Sequence, residues 1–147
     1  MNELLYLKDE RIKEFIEKLF IAYRESFSDT KKTLNKHSLG IAHHKVIHLL
    51  SMYDGITISE LLQKLKITKQ SLNRVIKDLN KIKCIFFKKG KKDTRLKHIY
   101  LTDIGQKLFS EIFSIQKERI YKALLKSDSK EVLHFNNVIK RIINEKI

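Results

Sequence analysis

A chain of 147 residues with 42% apolar content is one domain's worth of material, with enough hydrophobic side chains to bury a core. Its single cysteine, Cys84, excludes an internal disulfide and a multi-cysteine zinc site, and the absence of proline favours long helices joined by short polar turns. No apolar run approaches the roughly eighteen residues that span a bilayer, and MNELLYLKDERIK carries acids where a secretory signal needs an apolar stretch, so the expectation is a single cytoplasmic domain over 1–147 with no membrane partner.

From about Lys8 to Phe27, Ile12, Phe15, Ile16, Leu19, Phe20, Tyr23 and Phe27 recur at three- and four-residue spacing, which predicts an amphipathic helix. The polar stretch SDTKKTLNKHS reads as a connection. A second helix is expected from near Leu39 to Tyr53, ended by Asp54-Gly55 in a turn that tolerates a left-handed backbone. Thr57-Ile58-Ser59-Glu60 has the form of a capping box and starts a short third helix, with Ile58, Leu61, Leu62 and Leu65 on one face. After a turn through Lys66 and Ile67, Thr68 can cap a fourth helix whose inner stripe is Leu72, Val75, Ile76 and Leu79. Cys84–Phe87 and Leu96–Leu101 read as two strands around KKGKKDTR, a loop too charged to be buried, and so as a β-hairpin wing. Thr102 then caps a helix holding Leu108, Ile112, Ile115 and Ile120. Asp128 with Glu131 caps a last one holding Val132, Phe135, Val138, Ile139, Ile142 and Ile143.

The charge is unevenly placed. Leu61 to Lys97 carries 13 Lys or Arg against Asp78 and Asp93, which is +11 of the chain's +14. A basic excess confined to a quarter of a chain is the footprint of a phosphate-binding surface, although lysine-rich solvated faces also produce it. Two helices joined by a short turn, the second apolar inside and rich in Gln, Asn, Arg and Lys outside, can place that second helix in a major groove. Asn and Gln pair with adenine edges and Arg with guanine, which makes Gln70, Ser71, Asn73 and Arg74 candidate base readers. Thr68, Lys69 and Lys77 are candidates for backbone phosphates. In the wing, Arg95 stands where a guanidinium can enter a narrow A·T-rich minor groove, and Asp93 can hold it by a bidentate pair. Lys88, Lys89, Lys91 and Lys92 would grip phosphates beside it. Taken singly, each of these residues also fits an ordinary solvent-facing position.

The strings ITISELLQKLKITKQSLNRVIKDL, KKDTR and IYLTDIG, in that order and spacing, resemble the MarR family of bacterial regulators over roughly Leu39 to Leu108. GIAHHKV followed by ITKQSLNRV is similar to one branch of that family. The resemblance implies a mainly α fold with a small β-hairpin wing: a winged helix-turn-helix at about 39–101, with dimerisation helices at about 8–28 and 103–146. It further implies a triangular homodimer with interleaved terminal helices, acting as a repressor on a palindromic operator in double-stranded DNA and in many relatives released by a small-molecule effector. The family's DxR motif falls on Asp93 and Arg95 and its recognition helix on Lys69 to Ile82. Dimerisation is also expected from the residues themselves, because a winged module of about sixty residues offers too small a core to cover apolar stripes at both ends of the chain.

His43, His44 and His48 lie on the second helix, where they are candidates for a ligand pocket or dimer contact, against the plainer alternative of histidines that tune packing. His44 and His48 sit four apart, a spacing open to metal, but nothing nearby completes a tetrahedral set, so neither metal nor other cofactor is expected. Cys84 reads as a small buried apolar residue rather than a redox sensor; the family's oxidant sensors carry their cysteine in the first helix, which here has none. Gly40, Gly55, Gly90 and Gly105 form no phosphate loop, and neither H-E-x-x-H nor G-x-S-x-G occurs, so no catalytic residues and no enzyme activity are expected. The alternative that remains open is a non-specific DNA-compacting or RNA-binding basic protein.

Overall fold

The computed structural model describes residues 4–144. A short 3-10 turn at Leu5–Leu7 precedes α1 (Asp9–Ser28), α2 (Lys31–Lys36), α3 (Ile41–Met52), β1 (Ile56–Thr57), α4 (Ile58–Leu65), α5 (Lys69–Lys81), β2 (Ile85–Lys89), β3 (Lys97–Leu101), α6 (Asp103–Leu125) and α7 (Ser129–Ile142). The helix starts follow from side-chain oxygens that satisfy free amides: Thr68 accepts from the Ser71 amide, Thr102 from Gly105 and Asp128 from Glu131. Thr57 likewise accepts from the Glu60 amide at 3.2 Å. Its partner departs from the expected box, because the Glu60 carboxylate accepts a hydrogen bond from the Thr57 hydroxyl at 3.0 Å while Thr57 itself pairs with His98 in the sheet.

Val46, Ile47 and Leu50 of α3, Leu61 of α4, Leu72 and Leu79 of α5, Ile99 of β3 and Ile112 of α6 are the buried centre. Their three- and four-residue spacing turns one stripe of each helix inward, and the small sheet closes the far side. Gly55 has φ +76°, a left-handed backbone that favours glycine, and a Cβ there would come within 2.7 Å of the Tyr100 hydroxyl and displace it.

Three expectations are corrected. SDTKKTLNKHS is not a plain connection: it contains α2, with Thr30, Thr33 and Leu34 buried. Thr30 donates to the Phe27 carbonyl at 2.8 Å, and Ser38 at φ 57° ends the segment, so local hydrogen bonds and one apolar residue order a polar stretch. The hairpin is also not alone, since β1 pairs with β3 (Ile56 opposite Ile99) to make a three-stranded antiparallel sheet in the order β1-β3-β2. Two residues carry too little alternation to announce a strand. Finally, the strands begin one residue late, at Ile85 and Lys97, the first runs on through Lys88 and Lys89 of the expected loop, and the last helix stops at Ile142; residues 145 and 146 of the expected helix lie outside the described residues.

The terminal helices behave differently from the rest. Neither α1 nor α7 has a buried residue, although both carry continuous apolar stripes. α1 is fastened to α6 by polar contacts: Arg119 places Nε 2.6 Å and a terminal nitrogen 3.0 Å from the two oxygens of Asp29, and the Gln116 amide donates to the Ser26 carbonyl at 3.2 Å. Among the described residues no helix is long and apolar enough to cross a membrane.

Candidate nucleic-acid interface

α4 ends with Lys66 in the left-handed region (φ 52°), its amide bonded to the Leu62 carbonyl at 2.8 Å, so the chain reverses in three residues into α5. Thr68 does double duty at the start of α5, its hydroxyl accepting from the Ser71 amide at 3.1 Å and donating to the Ser71 hydroxyl at 2.8 Å. Leu72, Val75, Ile76 and Leu79 are buried on the inner side of α5. That fixes the opposite side: Lys69, Gln70, Ser71, Asn73, Arg74 and Lys77 are all exposed, as is Thr68. The structure therefore brings every expected residue of this helix onto one solvent-facing surface.

The wing is pinned by the β2–β3 register, with Phe86 opposite Tyr100 and Lys89 opposite Lys97. Its loop closes through the Gly90 amide bonded to the Leu96 carbonyl at 2.9 Å. A Cβ on Gly90 would lie 2.5 Å from the Asp93 carbonyl oxygen, so the loop folds over a position only glycine can fill. Arg95 faces Asp93 through Nε to Oδ1 at 3.1 Å and a terminal nitrogen to Oδ2 at 3.2 Å, and the Arg95 amide donates to Oδ1 at 3.0 Å. The Arg95 side chain, with its backbone amide assisting, holds the Asp93 carboxyl below its ordinary range, so it is ionised whenever the protein is folded near neutrality. The Arg95 side chain is 89% exposed and projects its remaining donors outward.

Lys88, Lys89, Lys91 and Lys92 are all exposed, but they are not equivalent. The Lys88 ammonium lies 5.2 Å from the Tyr100 ring centre and 5.8 Å from that of Phe86, above two rings stacked at 5.3 Å. It is therefore partly held by aromatic faces, whereas Lys91 and Lys92 extend from the loop tip. Position 98 braces the sheet: the His98 Nδ1–H donates to the Gly55 carbonyl at 2.7 Å.

The three histidines of α3 are not brought together. His44 is buried, its Nδ1 3.4 Å from the Thr30 hydroxyl and its ring 5.0 Å from that of Phe27. Among the described residues its Nε2 has no hydrogen-bond partner, and burial, reinforced by the charge of neighbouring His48, pushes its pKa down to about 4. His43 points the other way, toward α5, with Nε2 2.9 Å from Asp78 Oδ2. His48 is exposed and lines a cleft of about 220 Å³ with Phe27, Lys45, Lys64 and Gln116. A separate cleft of about 340 Å³, walled by Tyr23, Phe27, Leu34 and Leu39 and edged by Arg24 and Lys31, opens where α1, α2 and α3 meet. Cys84 is buried, and burial pushes its thiol pKa up. Among the described residues no three His, Cys, Asp or Glu side chains are grouped to hold a metal ion.

The Asp78 link to His43 is the feature that sequence reasoning missed at this surface. The available signal was an acid in the middle of a basic helix.

Comparison with known proteins agrees with this geometry. Residues 37–96 match the sequence model of the MarR family. The HTH-type transcriptional regulator PetP of Rhodobacter capsulatus is 34% identical over 141 residues, covering 96% of this chain and 85% of that protein. Among solved structures, a MarR transcriptional regulator from Methanosarcina mazei Go1 superposes with a TM-score of 0.70 at 25% identity, over 89% of this chain and 95% of that one. The S. aureus MepR–DNA complex shares the fold, with a TM-score of 0.68 at 20% identity over 87% and 96% of the two chains. The chain belongs to the MarR family of transcriptional regulators, in the branch that includes PetP.

Proposed function

We propose that this protein is a homodimeric repressor that reads a palindromic operator in double-stranded DNA through α5, with the wing gripping the flanking minor groove. The observation that carries the reading is the common exposure of Gln70, Asn73, Arg74 and Lys77 on a helix whose other side is locked into the core, next to a wing whose Arg95 is braced by Asp93. In this reading Gln70, Ser71, Asn73 and Arg74 read bases, Thr68, Lys69 and Lys77 take phosphates, and Arg95 enters the minor groove between Lys89, Lys91 and Lys92. Lys88, held on the aromatic pair, contributes a weaker phosphate contact. S. aureus MepR, a fold neighbour, crystallised in complex with DNA, which supports DNA as the partner here.

The homodimer rests on apolar surface that one chain leaves open. Ile16 and Phe20 of α1 are 54% and 58% exposed and Leu133 and Phe135 of α7 are both 57% exposed, and a groove lined by Leu5, Tyr6, Ile12, Phe15 and Val138 runs between them. Exposed stripes of this extent on both ends of a chain are covered in solution by a partner, and a two-fold copy sets two α5 helices about one DNA turn, roughly 34 Å, apart. Release by a small effector is supported by the apolar cleft between α1, α2 and α3, whose aromatic walls and Arg24 and Lys31 rim suit an aromatic acid.

Selection from a random duplex pool tests the reading. The protein should enrich an inverted repeat and hold it against excess random DNA at moderate salt. A molecule that enriched nothing and released all DNA alike as salt rose would be a non-specific basic binder instead.

A further inference from the structure

An acid on a phosphate-facing surface repels DNA, yet the basic segment from Leu61 to Lys97 contains two. Asp93 is accounted for by Arg95. Asp78 lies on α5 itself, one turn beyond Arg74, and its carboxylate accepts from His43 Nε2 at 2.9 Å. His43 stands in the first turn of α3, and its Nδ1 accepts the Gly40 backbone N–H at 3.0 Å. A backbone amide can only donate, so Nδ1 carries the lone pair and Nε2 carries the hydrogen. The ring is thereby fixed at both nitrogens, one closing the start of α3 and the other gripping α5.

The next residue completes the connection. His44 turns from the same helix toward α1, against the Thr30 hydroxyl and the Phe27 ring. Consecutive side chains of α3 therefore face the reading helix on one side and the end of α1 on the other. The inner stripe of α5 is wholly apolar, and apolar contact fixes depth better than rotation because it has no direction. A hydrogen bond to a carboxylate does have direction. Rotating a helix of about 6 Å outer radius by about 20° carries its side-chain tips about 2 Å, more than base-edge contacts tolerate.

We propose that His43 is a positioning residue for sequence reading: by holding Asp78 it sets the rotation of α5 against α3, and so determines which base edges Gln70, Asn73 and Arg74 reach. The inference rests on the DNA-binding reading above and deepens it.

The test uses the full chain, the duplex that the wild-type protein enriches from a random pool, and a scrambled duplex of the same composition. His43→Asn keeps an acceptor for Gly40 and gives up Asp78, His43→Gln keeps an N–H donor for Asp78 and gives up Gly40, and Asp78→Ala removes the carboxylate. His43→Asn and Asp78→Ala should each lower the ratio of selected to scrambled affinity about tenfold, and the double variant should be no worse than either. Scrambled-duplex affinity should hold in His43→Asn and rise in Asp78→Ala, which loses a negative charge. His43→Gln should keep the wild-type ratio, and the wild-type imidazole should show the nitrogen shifts of the Nε2–H tautomer. Unchanged ratios in both His43→Asn and Asp78→Ala would overturn the proposal. So would an equal loss on both duplexes in His43→Asn, or a loss in His43→Gln as large as in His43→Asn. Failure of the wild-type protein to enrich any duplex would remove the underlying reading, and this inference with it, before a variant was made.

Discussion

Asp93 and Arg95 form a closed two-residue unit in which one carboxylate oxygen accepts both the arginine's backbone amide and its Nε, at 3.0 and 3.1 Å. A surface pair of this kind adds little to stability, since solvent screens it and side-chain entropy opposes it. Its effect is on binding: the guanidinium is already aimed, so less freedom is lost when it enters a groove. Arg95→Ala should therefore weaken binding to A·T-flanked duplexes by at least about 1 kcal/mol while leaving the melting temperature unchanged. Asp93→Ala gives the sharper comparison. Removing a negative charge near DNA should by itself tighten binding, so a weaker Asp93→Ala complex in a titration at fixed salt would mean that aiming Arg95 outweighs the charge.

On α5, Asn73 and Lys77 are both exposed but have different chemistry. Asn73→Ala should flatten base preference at one operator position, at a cost of about 1 to 3 kcal/mol on the preferred site. Lys77→Ala should weaken binding to all duplexes and reduce the salt dependence of log K by about one unit. Affinities over a salt series, for the selected duplex and its single-base variants, distinguish the two.

The buried imidazole of His44 makes stability depend on pH. Its pKa in the fold, about 4, is below the ordinary 6.5, because burial and then the charge of His48 disfavour the charged ring more than the nearby Gln116 amide favours it. Between those values the unfolded chain binds the proton and the folded one does not. Stability is thus full above about pH 6.5 and falls as pH drops toward 4, by an amount of order 2 to 3 kcal/mol. Denaturant unfolding from pH 7 to 4 should show that slope, and His44→Leu, which also removes the unpartnered Nε2, should flatten it.

Gly105 sits where the first turn of α6 crosses the end of the hairpin. A Cβ there would run into the Cys84 carbonyl oxygen, which already accepts the Thr102 amide at 2.9 Å, while the Thr102 hydroxyl donates to the Lys83 carbonyl at 2.6 Å. Backbone rather than a flexible side chain would have to give way. Gly105→Ala should cost of order 1 to 3 kcal/mol in chemical denaturation, although alanine is the better helix former.

Much of this architecture is legible in the chain because it is local. Thr57, Thr68, Thr102 and Asp128 each accept from an amide three residues on, and the inner stripe of α5 follows from spacing alone. What escaped is long-range or too short to show a period. His43 and Asp78 are 35 positions apart and Asp29 and Arg119 are 90 apart, so neither pairing leaves a local signature. β1 is two residues of strand, stabilised by partners in β3 rather than by its own pattern. In α2 the ordering comes from Thr30 and Leu34, which packing buries within a stretch whose composition is that of a loop. The three α3 histidines share a helix but point to different neighbours, and only the packing around α3 decides which.

Hydroxyl-radical footprinting of the protein on its selected duplex shows whether two α5 helices and two wings engage DNA together. Two symmetric protected patches are expected about 10 base pairs apart, centre to centre, with minor-groove protection outside each that disappears in Arg95→Ala. Protection spread evenly along the duplex, or a footprint that Arg95→Ala leaves intact, would contradict that arrangement.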